Sequence, residues 1–121
     1  MEKHKVLIVD DSPILRSTIR NVLERNGKYL AVEAGNAADA LEQFKKESPE
    51  LVLLDILLPG ESGLDILKEL VGVNPTAKVL MLTAINQEAV NLEARDLGAK
   101  GIVYKPFEPD ELLEAIEKIL E

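Results

Sequence analysis

Apolar runs at 6–9, 51–54 and 79–82 alternate with longer stretches in which apolar residues recur every three or four positions. Runs that short, rich in Val, Leu and Ile and bounded by polar residues, predict strands buried on both faces. Such strands belong to parallel sheets covered by helices. The helical period is clearest in Ile14, Thr18, Ile19, Val22 and Leu23, and again in Leu112, Ile116, Ile119 and Leu120. The full reading places strands at 5–9, 29–33, 51–55, 78–82 and 101–104, followed in turn by helices at 13–26, 37–47, 63–71, 87–97 and 109–120. Start and stop signals agree. Ser12-Pro13 sets a capping hydroxyl before a proline at the first helical position. Asn36 with Asp39 and Ser62 with Asp65 resemble capping boxes, and Gly27 and Gly98 stand where helices should end. The 29–33 strand is the most polar and is expected at a sheet edge. Strand and helix in regular alternation predict an α/β fold, (βα)5, doubly wound, with helices on both faces of a five-stranded parallel sheet.

Composition narrows the function more than the fold. The 121 residues suit one domain, read as 1–121, and 46% hydrophobic with 30% charged residues is an ordered composition. No apolar run is long enough for a bilayer and no signal-peptide pattern opens the chain, so the expectation is a cytoplasmic protein with no membrane partner. The absence of cysteine excludes disulfides and thiolate metal sites. The lone histidine, His4, cannot build a zinc site and is expected to face solvent ahead of the first strand. A net charge of −8 argues against direct nucleic-acid binding.

Doubly wound folds bind ligands beyond the carboxyl ends of their strands, near the switch in strand order. The residues there are Asp10 and Asp11, Asp55, Thr83 and Ala84, and Lys105 and Pro106. Carboxylates gathered at one rim repel one another. A hard divalent cation relieves that repulsion, and Mg2+ favours a few carboxylates together with water and phosphate oxygens. Asp55, ending an apolar strand, can attack phosphorus to give an acyl phosphate. Lys105 supplies a point charge for a phosphoryl oxygen, Thr83 a hydroxyl donor, and the small Ala84 leaves room. Taken singly, each has a plain structural reading: Asp10-Asp11 as a loop capping the first helix, Asp55 as a turn residue before Pro59-Gly60.

Four segments in this order and spacing resemble the response-regulator receiver family, whose single-domain form is the CheY type: VLIVDDS (6–12), LVLLDILLPGESG (51–63), MLTA (81–84) and GIVYKPF (101–107). The resemblance spans essentially the whole chain. It implies the flavodoxin-like, CheY-like strand order 2-1-3-4-5. It also implies a role in two-component phosphorelay signalling, with Asp55 phosphorylated by a histidine kinase, a phosphotransfer protein or a small acyl phosphate. Such a protein is a switch that assists its own aspartyl phosphorylation and dephosphorylation, not an enzyme acting on a separate substrate. By the same resemblance Asp10, Asp11, Asp55 and the backbone carbonyl of Leu57 hold Mg2+ or Mn2+. Thr83, Ala84 and Lys105 bind the phosphoryl oxygens, and the Lys105–Pro106 peptide is cis. The fourth helix, fifth strand and fifth helix would meet a target protein, with Glu88, Asn91, Arg95, Tyr104 and Lys118 as candidate surface residues. The expected state is a monomer or a weak, phosphorylation-dependent dimer.

This chain departs from the family at the aromatic switch residue that often stands three places before the lysine. That place holds Ile102, and Tyr104 lies two residues further, on the same face of the strand but nearer its end. The switch set is therefore read as Thr83, Ile102 and Tyr104. Leu57 and Ile85, two places after Asp55 and Thr83, should flank the water that hydrolyses the acyl phosphate. Neither can hydrogen-bond that water, which predicts a long-lived phosphorylated state. Competing readings are weighed on the same residues. A haloacid-dehalogenase-type phosphatase needs a second Asp two places after its nucleophile, where this chain has Ser12 and Leu57. A pseudo-receiver should lack one of the five site residues, and all are present. A receiver cut from a longer regulator stays open.

Overall fold

The apolar runs form five parallel strands: β1 (His4–Val9), β2 (Tyr29–Ala34), β3 (Leu51–Asp55), β4 (Val79–Thr83) and β5 (Gly101–Tyr104). They pair in the order β2-β1-β3-β4-β5, the order expected. A computed structural model describes residues 3–121. The crossover helices are α1 (Pro13–Asn26), α2 (Ala37–Glu47), α3 (Gly63–Val73), α4 (Glu88–Asp96) and α5 (Pro109–Leu120). Alternate residues of each inner strand feed opposite layers, as the period of two requires. Val6, Ile8, Leu53, Leu80 and Leu82 pack under Ile19 and Leu23 of α1 and Leu112 and Ile116 of α5. Leu7, Val9, Val52, Leu54 and Met81 pack under α2, α3 and α4 through Phe44, Ile66, Leu67, Leu70 and Ala94. Each such buried Leu or Ile contributes about 1.5–3 kcal/mol relative to exposure. The more polar β2 is an edge strand, with Leu30 exposed.

Several local differences from the sequence reading have physical causes. β4 runs on to Thr83 because that residue pairs with Tyr104, and its carbonyl accepts from the Lys105 N–H at 2.8 Å. α3 passes Gly72 and stops at Val73; Asn74 precedes Pro75, and a residue before proline is pushed out of the helical region. α4 is shorter than expected, ending at Asp96 ahead of Gly98 at φ +113°. Ser12 caps α1 through the Leu15 N–H. Asn36 caps α2 by accepting from the Asp39 N–H at 2.8 Å, but the Asp39 carboxylate meets the Asn36 side chain instead of its backbone. Ser62 accepts from Leu64, not Asp65. A capping box does form at α5, where Glu111 accepts from the Glu108 N–H at 3.3 Å. Between β3 and α3 lies an unexpected short antiparallel hairpin, Leu57–Leu58 against Glu61–Ser62, turned by Gly60 at φ +70°.

Candidate functional site: an acidic pocket at the carboxyl end of the sheet

Each inner strand delivers a polar residue to one rim as its ladder ends. Asp10 follows β1 and stays tied to β2, its N–H bonded to the Ala34 carbonyl at 3.1 Å. Asp55 ends β3 and Thr83 ends β4; among the described residues, Asp10, Asp55 and Thr83 are the buried polar ones, at 2%, 6% and 0% exposure. Lys105 follows β5 and reaches across the rim. Its Nζ donates to Asp10 Oδ2 at 2.8 Å and to Asp55 Oδ2 at 3.0 Å. The other oxygens are held by the backbone: Asp10 Oδ1 accepts from Ser12 N–H at 2.8 Å, and Asp55 Oδ1 from Leu57 N–H at 3.0 Å. Thr83 Oγ accepts from Ile85 N–H at 2.9 Å, which leaves its own hydroxyl proton free to donate. The Lys105–Pro106 peptide is cis.

Asp11 is exposed, yet a carboxylate oxygen from each of Asp10, Asp11 and Asp55 lies within 4.8 Å of the others. Burial raises the Asp55 pKa above its ordinary value and Asp10 adds repulsion, while Lys105 and the Leu57 N–H pull the other way without prevailing. Burial likewise opposes the charge on Lys105, but its bonds to Asp10 and Asp55 outweigh it and the pKa rises. The two partners differ because Lys105 is served by two carboxylates and Asp55 by a share of one ammonium. Three carboxylates against one ammonium leave an excess of negative charge on hard oxygen donors. That donor set fits a divalent cation such as Mg2+.

The remaining expected residues fall around this pocket. Ala84 is exposed beside Thr83, and Leu57 is 55% exposed. Ile85 and Ile102 are half-buried against the core beneath α2, α3 and α4. Register places Tyr104 opposite Thr83 and Ile102 opposite Met81, so the aromatic ring, not the isoleucine, belongs to the residue beside Thr83. The Tyr104 hydroxyl accepts from Asn91 Nδ2 at 2.6 Å. Asn91 departs from its expected surface position: it is half-buried, and its Oδ1 is buried without a partner. Glu88, Arg95 and Lys118 are exposed. His4 is exposed as expected, although it opens β1 and pairs with Glu50.

Two features of the rim carried no signal in the sequence reading. Arg16 of α1 donates from Nε to Glu33 Oε1 at 3.0 Å and from Nη1 to the Asp10 carbonyl at 2.5 Å, and Arg20 Nε donates to Glu33 Oε2 at 2.6 Å. Burial acts to raise the Glu33 pKa, but the bonds from Arg20 and Arg16 hold it below the ordinary carboxylate value. The second feature is Gly63, whose N–H bonds the Ile56 carbonyl at 2.8 Å. A Cβ there would lie 2.1 Å from the Asp55 carbonyl oxygen and 2.6 Å from Ile56 Cα. Charges on an amphipathic helix read as solvated, and a glycine at the first position of a helix, here Gly63, carries no sign of the close approach it permits.

A five-stranded parallel sheet with an acidic trio, a hydroxyl and a lysine at its carboxyl rim defines a doubly wound α/β domain with a polar site beyond its strand ends. Residues 6–117 match the model of the response regulator receiver domain. The chain is 40% identical over 117 residues to the chemotaxis protein CheY of Bacillus subtilis, covering 97% of this chain and 98% of that protein. It is 37% identical over 120 residues to sporulation initiation phosphotransferase F of the same organism, covering 99% and 96%. The solved structure of the chemotaxis protein CheY4 of Vibrio cholerae matches with a TM-score of 0.93 at 28% identity, covering 98% of this chain and 99% of that one. The chain belongs to the response regulator receiver family, and its role lies in two-component phosphorelay signalling. Among the described residues, no helix is long and apolar enough to cross a membrane.

Proposed function

We propose that Asp55 is the phospho-acceptor of this receiver and that Asp10, Asp11 and Asp55, with the Leu57 carbonyl, bind Mg2+. The observation that carries the reading is the convergence of Lys105 on Asp10 and Asp55 within an otherwise uncompensated acidic trio. An Asp55 oxygen attacks the phosphorus of a phosphohistidine or a small acyl phosphate. The donor's P–N or P–O bond breaks, and the departing imidazole or carboxylate takes the electron pair. The bound cation would supply charge to the transferring oxygens. Lys105 turns from the carboxylates to a phosphoryl oxygen, and Thr83 donates its free hydroxyl proton to another, beside the open space at Ala84. Partners are a histidine kinase or phosphotransfer protein and a target meeting α4, β5 and α5. Residues 1–121 act as one receiver domain of a cytoplasmic switch.

The reading is tested by metal removal. Labelling by acetyl phosphate is expected to need a divalent cation and to vanish with a chelator. Asp10→Ala and Asp11→Ala should each weaken Mg2+ binding by about tenfold or more, since each removes a ligand and its attracting charge. Calorimetric titration showing wild-type affinity in both variants would place the cation elsewhere.

The half-buried Ile85 and the exposed Leu57 give no hydrogen bond to a water approaching the Asp55–phosphorus bond. Orienting contacts of that kind lower a barrier by about 1–2 kcal/mol, or roughly tenfold in rate. A Leu57→Asn/Ile85→Glu variant is therefore expected to lose its phosphate about tenfold faster after donor removal. Decay at the wild-type rate would mean that these side chains do not gate the water.

A further inference from the structure

We propose that Arg16, aligned by Glu33, is a positioning residue that fixes the 10–12 loop in the geometry that receives the cation. The inference rests on the reading of the site given above. Asp10 and Asp11 leave the sheet just past the β1–β2 ladder, and Asp11 is exposed, so its carboxylate is placed by the backbone of the loop. Besides the Ser12 carbonyl, which takes the Arg16 backbone N–H at 3.0 Å as α1 begins, the loop's Asp10 carbonyl accepts from the Arg16 side chain, Nη1 at 2.5 Å. The same guanidinium donates from Nε to Glu33 Oε1 at 3.0 Å. Because a guanidinium is planar and rigid, these two bonds set the separation between the end of β1 and the Glu33 carboxylate on β2. Glu33 cannot turn away, since its second oxygen is held by Arg20 at 2.6 Å. The passage for the guanidinium is Gly35, where a Cβ would come 3.1 Å from Arg16 Nη1. The clamp thus runs from the edge strand through α1 to the backbone of a residue whose side chain holds both Lys105 and the Ser12 N–H.

Three roles for Arg16 predict different signs. A guanidinium acting only as a charge repels Mg2+, so its removal would tighten binding. One acting only on stability would lower the unfolding midpoint and leave metal affinity alone. A positioning residue weakens binding when removed, as partners that orient metal ligands do, by about tenfold. The experiment compares wild type with Arg16→Gln, Arg16→Lys, Glu33→Gln and Arg16→Gln/Glu33→Gln under conditions where β3 core amides stay protected. Two readouts are taken: Mg2+ affinity by calorimetry, and hydrogen exchange of the Ser12 amide in metal-free protein. Expected are about tenfold weaker Mg2+ binding and about tenfold faster Ser12 exchange in Arg16→Gln. Arg16→Lys, which keeps the charge and loses the fork, should not rescue either. Glu33→Gln should move both readouts the same way, and the double variant should be no worse than Arg16→Gln alone. Unchanged or tighter Mg2+ binding in Arg16→Gln, full rescue by Arg16→Lys, or additive losses in the double variant would each overturn the proposal. A wild type that binds no Mg2+ would defeat the phosphorylation reading instead. Ser12 exchange would then decide alone, with protection unchanged in Arg16→Gln overturning the clamp and protection lost upholding it.

Discussion

Asp55→Asn protein incubated with acetyl phosphate and Mg2+ is expected to take up no phosphoryl group, against one per chain in wild type, as read by intact-mass spectrometry. The amide is nearly isosteric, so its oxygen can still accept from Leu57 N–H or Lys105. It has no carboxylate oxygen to form the acyl phosphate, and that loss is complete rather than graded. Stability should not fall with it. Burial raises the Asp55 pKa in the fold. An acid whose pKa is raised on folding holds its proton more tightly when folded, so above that pKa the ionised carboxylate opposes folding. The opposition is absent below the unfolded-state value, grows as pH rises from that value to the folded one, and is complete above it. Without divalent cation near neutral pH, Asp55→Asn should therefore unfold at the same or higher urea concentration than wild type, and the gap should close as the solution is acidified. Labelling of the variant at the wild-type level would sink the assignment. A clearly lower urea midpoint would show that the Lys105 pairing outweighs burial.

Gly63→Ala should destabilise the protein by about 3 kcal/mol, at the upper end of the range for overpacked sites. The methyl group would sit 2.1 Å from the Asp55 carbonyl oxygen and 2.6 Å from Ile56 Cα, and both obstacles are backbone, which cannot rotate aside. Either the first turn of α3 or the end of β3 must shift, and the second choice moves Asp55. A misplacement of about 1 Å at a reacting group lowers rate by roughly a hundredfold, so phosphorylation should slow even where the variant folds. Gly72 on the same helix is the control. Apart from its chain neighbours and its own helix backbone, nothing lies within 4 Å of a Cβ there, so Gly72→Ala should be neutral or gain about 0.5–1 kcal/mol from helix propensity. Urea unfolding of the two variants gives opposite signs on this account; equal midpoints would refute the close-approach argument.

The candidate site was legible because its parts sit at strand ends. The runs before Asp10, Asp55 and Thr83 announce themselves by composition, and a doubly wound fold brings their carboxyl ends to one rim whatever the loops do. The rest depended on distances between residues far apart in sequence. Tyr104 lies beside Thr83 only through the β4–β5 register, and it meets Asn91 only because α4 packs over that face. Capping boxes were misassigned at Asn36 and Ser62 and present at Glu108, because the reciprocal bond depends on how the helix enters and not on residue type alone.

What the sequence by itself determined was the alternation of elements, the identity of the inner strands and the polar residues at their ends. Those are encoded in periods of two and of three to four and in side chains a few positions apart. Only the tertiary structure decided that Gly63 packs so close to the end of β3 that a Cβ would lie 2.1 Å from the Asp55 carbonyl oxygen, that Arg16 bridges Glu33 and the Asp10 carbonyl, and that one ammonium answers two buried carboxylates. Each of these is a matter of helix rotation and strand register, which the packing of the whole core selects and no local pattern specifies.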